Sequence, residues 1–235
     1  MIILGVIAMI PGMSWGREKT IPTILSRIYE YREAHDDEPS KVDRDNVYTK
    51  FRFNVERRNF MMWLIPTMNV VADGEREYIR ESYSTVRYKS NHRYNIDHQI
   101  RTGTIRRNKK TMLPLYEYFT PMIYEESLYD KHILSPFNRI NRKYYRYEEH
   151  PDSAGLTRLD FQPKRSNTHL VSGYALVETE TGRIVSTELG GEFDMISFQT
   201  TITMEESDSL YAFVKQCTTD ATFRFAGNRI SGSAT

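Results

Sequence analysis

Cysteine is nearly missing: Cys217 stands alone among 235 residues. The chain therefore has neither a disulfide framework nor a multi-cysteine metal site. Tryptophan occurs only twice, against 16 tyrosines and 11 phenylalanines, a bias that favours extended strands. An excess of one charge sign is lacking too, since 32 Lys and Arg nearly cancel 31 Asp and Glu, and net charge names no partner. No uncharged run approaches the ~20 residues that a membrane-spanning helix needs. A mean hydropathy of -0.59, with 39% hydrophobic and 27% charged residues, excludes both a multi-span membrane protein and a disordered chain. The sequence has no His-Glu-x-x-His, no Gly-x-Ser-x-Gly and no glycine loop ahead of a helix.

What is present starts at the N-terminus. Residues 2–15 carry no charge, the length of a secretory h-region, and Pro11-Gly12 with Ser14 and Gly16 suits a cleavage near Arg17. Nothing basic precedes Ile2, so either the start lies upstream or the run is a buried apolar arm. The expectation is export, with residues 1–16 a signal peptide and 17–235 one β-rich periplasmic domain. No cysteine follows the apolar run, which excludes a lipid-anchored lipoprotein. The charge balance conceals an asymmetry: residues 1–150 hold 25 basic and 20 acidic side chains, residues 151–235 hold 7 and 11.

A helix is predicted over residues 21–35. Thr20 is placed to cap it, Pro22 fits its first turn, and Ile21, Ile24, Leu25, Ile28 and Tyr29 form one stripe. A single stripe fits a helix that covers one face of a sheet. Most of the remainder reads as strand. Val47, Thr49, Phe51, Phe53 and Val55 alternate with polar neighbours, a half-buried period-2 pattern. Further strands are predicted at 77–89, 93–104, 144–148, 157–162, 170–179, 183–189, 194–204 and 222–225. Residues 111–138, with Pro114, Pro121 and Pro136, read as loop with short helical turns. Glu180-Thr181-Gly182 reads as a tight turn, and the short connections make the sheet antiparallel. The fold class is mainly β (α+β): a strongly curved antiparallel sheet or half-open barrel with one helix on its concave face.

Chemistry is harder to place. The histidines lack ligand spacing; His92 and His98, six apart on a strand, would stand about 20 Å from each other. His35-Asp36-Asp37-Glu38 reads as a solvated helix end. Gly190-Gly191 and Glu148-Glu149-His150-Pro151-Asp152 read as turns. No catalytic constellation, metal site or cofactor is expected. From Arg87 to Lys110 eight Lys and Arg face one acid, Asp97, with Tyr83, Tyr88 and Tyr94 interleaved. Such a run guards a sheet edge, meets lipid phosphates, or binds single-stranded nucleic acid. Export disfavours nucleic acid.

Several phrases in the C-terminal half form an ordered set: Leu134-Ser135-Pro136-Phe137-Asn138, Lys143-Tyr144-Tyr145-Arg146-Tyr147, Leu159-Asp160-Phe161-Gln162-Pro163-Lys164, Val171-Ser172-Gly173-Tyr174, and Thr181-Gly182 with Ile184-Val185. They resemble an unknown-function domain of large bacterial outer-membrane proteins that also carry a carboxypeptidase-regulatory-like domain and a membrane barrel. They are also similar to the lipoprotein-localisation-factor superfamily, in which such hairpins build a half-open barrel over a lipid cavity. Neither flanking domain is recognisable here, so a truncated or stand-alone version is expected. The resemblance implies a non-enzymatic periplasmic domain, associated with the outer membrane, that binds lipid or a lipidated partner. Acyl chains would lie among Phe51, Phe53, Phe161, Tyr174 and Ile184, with headgroups at Arg106, Arg107, Lys109 and Lys110. The alternatives are a scaffold module of an outer-membrane protein with a self-filled cavity, and a periplasmic hydrolase.

Overall fold

The computed structural model describes residues 23–35, 44–64, 74–90, 93–104, 121–129, 132–152, 155–193, 195–205 and 214–235. The leader, Thr20 to Pro22 and the Arg106–Lys110 cluster lie outside the described residues.

Helix α1 (Thr23–Ala34) buries Ile24, Leu25, Ile28, Tyr29 and Tyr31. Four of these belong to the predicted stripe, whose Ile21 lies outside the described residues, and Tyr31 is added to it. Its first turn is anchored from a distance, for Ile24 N donates to Glu149 Oε2 at 3.0 Å. The carboxylate satisfies one of the free N–H groups that open every helix. Among the described residues no helix is long and apolar enough to cross a membrane.

The strands in chain order are β1 (Arg44–Arg57), β2 (Glu77–Ser90), β3 (Arg93–Gly103), β4 (Ser127–Tyr129), β5 (Ile133–Leu134), β6 (Tyr145–Pro151), β7 (Leu156–Pro163), β8 (Ser172–Glu178), β9 (Ile184–Phe193), β10 (Ile196–Met204), β11 (Val214–Phe225) and β12 (Asn228–Ala234). Ten of them form one antiparallel sheet in the order β3-β2-β1-β12-β11-β10-β9-β8-β7-β6. The sheet is open, with β3 and β6 at its ends, and β4 pairs with β5 separately. The fold is thus mainly β with few helices.

Three sequence readings need correction. The predicted strands end at residue 225, yet β12 follows and runs between β1 and β11. Its Gly and Ser residues give no strand signal. At Gly232 the space is tight, for a Cβ there would stand 3.3 Å from Phe53 Cβ. Gly190 and Gly191 lie inside β9, not in a turn, and Glu148 to Pro151 belong to β6. At the predicted turn, by contrast, Gly182 takes φ +79°, and a Cβ there would come 2.3 Å from the Arg27 carbonyl of α1.

The core divides in two. The first cluster joins α1 to Tyr124, Tyr129, Phe137 and the inward side chains of β6 to β10, including Leu159, Phe161, Ile184 and Leu189 at 0% exposure. The second holds Phe51, Phe53, Val55, Met62, Tyr78, Phe223 and Ile230. Its phenylalanines keep 6–8% exposure, so it is sealed less tightly than the first.

Candidate functional site

The hairpin β11–β12 turns on Ala226-Gly227, both with positive φ (47° and 79°). Two left-handed residues in a two-residue turn give the twist that a hairpin needs. Alanine takes that conformation at a cost of roughly 1 kcal/mol, so the turn must be held from outside. Asn59, just after β1, holds it. Asn59 Nδ2 donates to the Ala226 carbonyl at 2.8 Å. Asn59 N donates to Asn228 Oδ1 at 2.6 Å, and Asn228 Nδ2 returns a bond to Asn59 Oδ1 at 3.1 Å.

This lock brings three arginines into one cross-strand row. Val55 pairs with Ile230, a bulge intervenes, and Arg57 then faces Arg229. Arg229 in turn faces Arg224 of β11. Like charges directly opposite one another in a sheet are destabilising. Only one is neutralised locally: Arg229 Nε lies 2.9 Å from Glu56 Oε2. Arg57 and Arg224 have no acidic partner among the described residues. A cleft of about 660 Å³ opens here, lined by Glu56, Arg57, Arg224, Phe225, Asn228 and Arg229. Phe225 also packs against the second apolar cluster. Arg224 and Phe225 are consecutive on β11 and point to opposite faces, so the arginine row lies on the face away from that cluster and Phe225 borders the cleft from the edge of the hairpin. Guanidinium groups in this density suit a phosphate or carboxylate, which they bind with paired N–H donors.

The residues expected from sequence are distributed differently. Phe51 and Phe53 do meet, with ring centroids 5.2 Å apart, and Phe53 stacks on Tyr78 at 4.7 Å. Phe161 and Ile184 belong to the first cluster, fully buried. Tyr174 lies on the other face of β8, where the Arg158 guanidinium sits 3.8 Å from its ring centre. Its hydroxyl donates to Glu188 Oε2 at 3.1 Å, and that bond raises the phenol above its usual range. The five side chains thus do not share one surface. Along the basic stretch, Arg87 pairs with Asp97 at 2.8 Å on the β2–β3 hairpin at the sheet's end.

Sequence reading missed Arg57, Arg224 and Arg229, which stand more than 160 residues apart in the extreme case. The only local hint was the arginine in Phe223-Arg224-Phe225 and the pair Asn228-Arg229 after a turn-forming glycine. Cys217 offers no nucleophile, as burial pushes its thiol up to about 12. Among the described residues no three His, Cys, Asp or Glu converge as metal ligands.

A family model described as a family of unknown function, DUF5686, matches residues 24–235. The chain belongs to that family. The match takes in α1, the whole ten-stranded sheet and the arginine row. A crystal structure of a LolA superfamily protein from Nitrosomonas europaea is similar at 10% identity and a TM-score of 0.30, over 88% of this chain and 91% of that one. No curated protein matches the sequence.

Proposed function

We propose that this protein is a non-enzymatic binding domain for an anionic lipid or a lipidated partner, held at the cleft of Arg57, Arg224 and Arg229. The observation that carries the reading is the row of three facing arginines with one local carboxylate. A fold tolerates such repulsion where a bound anion relieves it. The apolar end of the ligand would rest against Phe225, the large apolar side chain that lines the cleft. The uncharged leader supports export to the periplasm, and the resemblance in residues 134–190 supports association with the outer membrane and a half-open barrel form of the sheet. Arg106, Arg107, Lys109 and Lys110 would extend the basic surface toward headgroups.

The test uses the full chain. Native mass spectrometry after gentle purification should show a bound species of lipid mass. Short-chain phosphatidylglycerol, below its micelle concentration, should bind better than phosphatidylcholine. Arg224→Ser should weaken that binding by about tenfold, the scale of one charge-assisted hydrogen bond. A clean unliganded mass with no preference between the two lipids would sink the reading. It would favour the scaffold reading, which has its own support: α1, Tyr124 and Phe137 fill the face of β6 to β10.

A further inference from the structure

Between β1 and β2, residues Phe60–Leu64 form a single 3-10 helix, Phe-Met-Met-Trp-Leu. Met62 is its anchor, with 0% exposure inside the second cluster. Phe60, Trp63 and Leu64 point away from the core, at 77%, 54% and 66% exposure. In a 3-10 helix positions i and i+3 eclipse, so Phe60 and Trp63 share one side. Three large apolar side chains in five residues, all more than half exposed, cost solvation free energy that no apolar cluster among the described residues offsets.

Their position relative to the arginines is fixed. The helix begins one residue after Asn59, whose bonds to Ala226 and Asn228 hold the β11–β12 turn. Asn59 Oδ1 also accepts from Met61 N at 3.0 Å, and its carbonyl accepts from Met62 N at 3.1 Å. One asparagine therefore ties the apolar tip to the arginine row.

We infer that Phe60, Trp63 and Leu64, together with Arg57, Arg224 and Arg229, dock the protein on the surface of an anionic lipid bilayer. The inference rests on the lipid reading above and names the bilayer surface as the partner of the same site. Aromatic side chains favour the headgroup boundary, and neighbouring basic residues gain from the surface potential of anionic lipid. A protein groove would have to supply apolar pockets and acids at one spacing. A bilayer supplies both at any spacing, with its acyl boundary just beneath the phosphates. The tip would enter below the headgroups while the arginines take the phosphates.

The experiment is flotation of the full chain with phosphatidylcholine vesicles, with and without phosphatidylglycerol. A Trp15→Phe background leaves Trp63 as the sole tryptophan. The protein should float with the anionic vesicles only, and Trp63 emission should shift to the blue. Replacing Arg57, Arg224 and Arg229 by Ser should reduce vesicle affinity about a hundredfold, at roughly fivefold for each basic residue. The variant Phe60→Ser/Trp63→Ser/Leu64→Ser should lose vesicle binding at least about tenfold yet still bind short-chain phosphatidylglycerol. All three are exposed, and an unchanged urea midpoint confirms the fold. If that variant floats as well as wild type, or Trp63 emission does not shift, the docking inference is overturned while the lipid reading stands. Binding of neither vesicles nor short-chain lipid overturns both. Flotation that depends on the tip, without short-chain lipid binding, keeps the docking and removes the bound-lipid reading.

Discussion

Glu178 and Arg183 flank the β8–β9 turn, and their side chains bond across it. Thr181 Oγ1 donates to the other carboxylate oxygen at 2.7 Å. The Arg183 guanidinium, with the threonine hydroxyl second to it, holds the Glu178 carboxyl below its ordinary value. A carboxyl lowered by folding stabilises the native state at pH above its unfolded value, about 4.3. That contribution is lost as pH falls through the lowered native value. Urea titrations should therefore show wild type losing more stability than Glu178→Gln as the pH is brought down through the carboxylate range. At neutral pH the substitution should cost under about 1 kcal/mol, because the pair is partly solvated. Parallel stability curves in acid would show that the pair contributes nothing. The same turn matters for docking the helix, as Gly182 lets its backbone touch Arg27.

At the scale of elements, α1 draws its stability from the face it buries. Its intrinsic preference is weak, since a 12-residue helix is marginal alone in water. Leu25 and Ile28 are both fully buried against the first cluster. Leu25→Ala should destabilise the protein by about 2–5 kcal/mol through lost burial and the cavity left behind. Glu30→Ala on the exposed side should change little. Urea midpoints at unchanged slope distinguish the two, and equal effects would mean that the helix is not part of the cooperative core. The turn Phe60–Leu64 reverses this logic. Among its five residues only Met62 is buried, and Phe60, Trp63 and Leu64 are more than half exposed.

For the whole molecule the decisive element is the last one. β12 pairs with β1 on one side and β11 on the other, joining strands far apart in sequence. Without it the sheet has two unconnected parts, β1 to β3 and β6 to β11. The first cluster contains no residue of β12, whereas the second includes Ile230 and Ala234. A chain ending at Gly227 should lose amide hydrogen-exchange protection throughout β1 and β2 while β7 to β9 keep most of theirs. Uniform loss across the sheet would show that the two clusters fold as one unit.

The sequence by itself determined the elements whose pattern is local. The α1 stripe and the alternation of Phe51, Phe53 and Val55 were legible because each repeats with the period of its own backbone. So was the tight turn at Gly182. Tertiary structure alone decided β12, the placement of Gly190-Gly191 inside a strand, and the arginine row. Asn-Arg-Ile-Ser-Gly-Ser-Ala has no strand character of its own; pairing with β1 on one side and β11 on the other makes it a strand. Arg57, Arg224 and Arg229 are ordinary charges in the sequence. Register across three strands turns them into one anion cleft, and register is a property of pairing that no single segment carries.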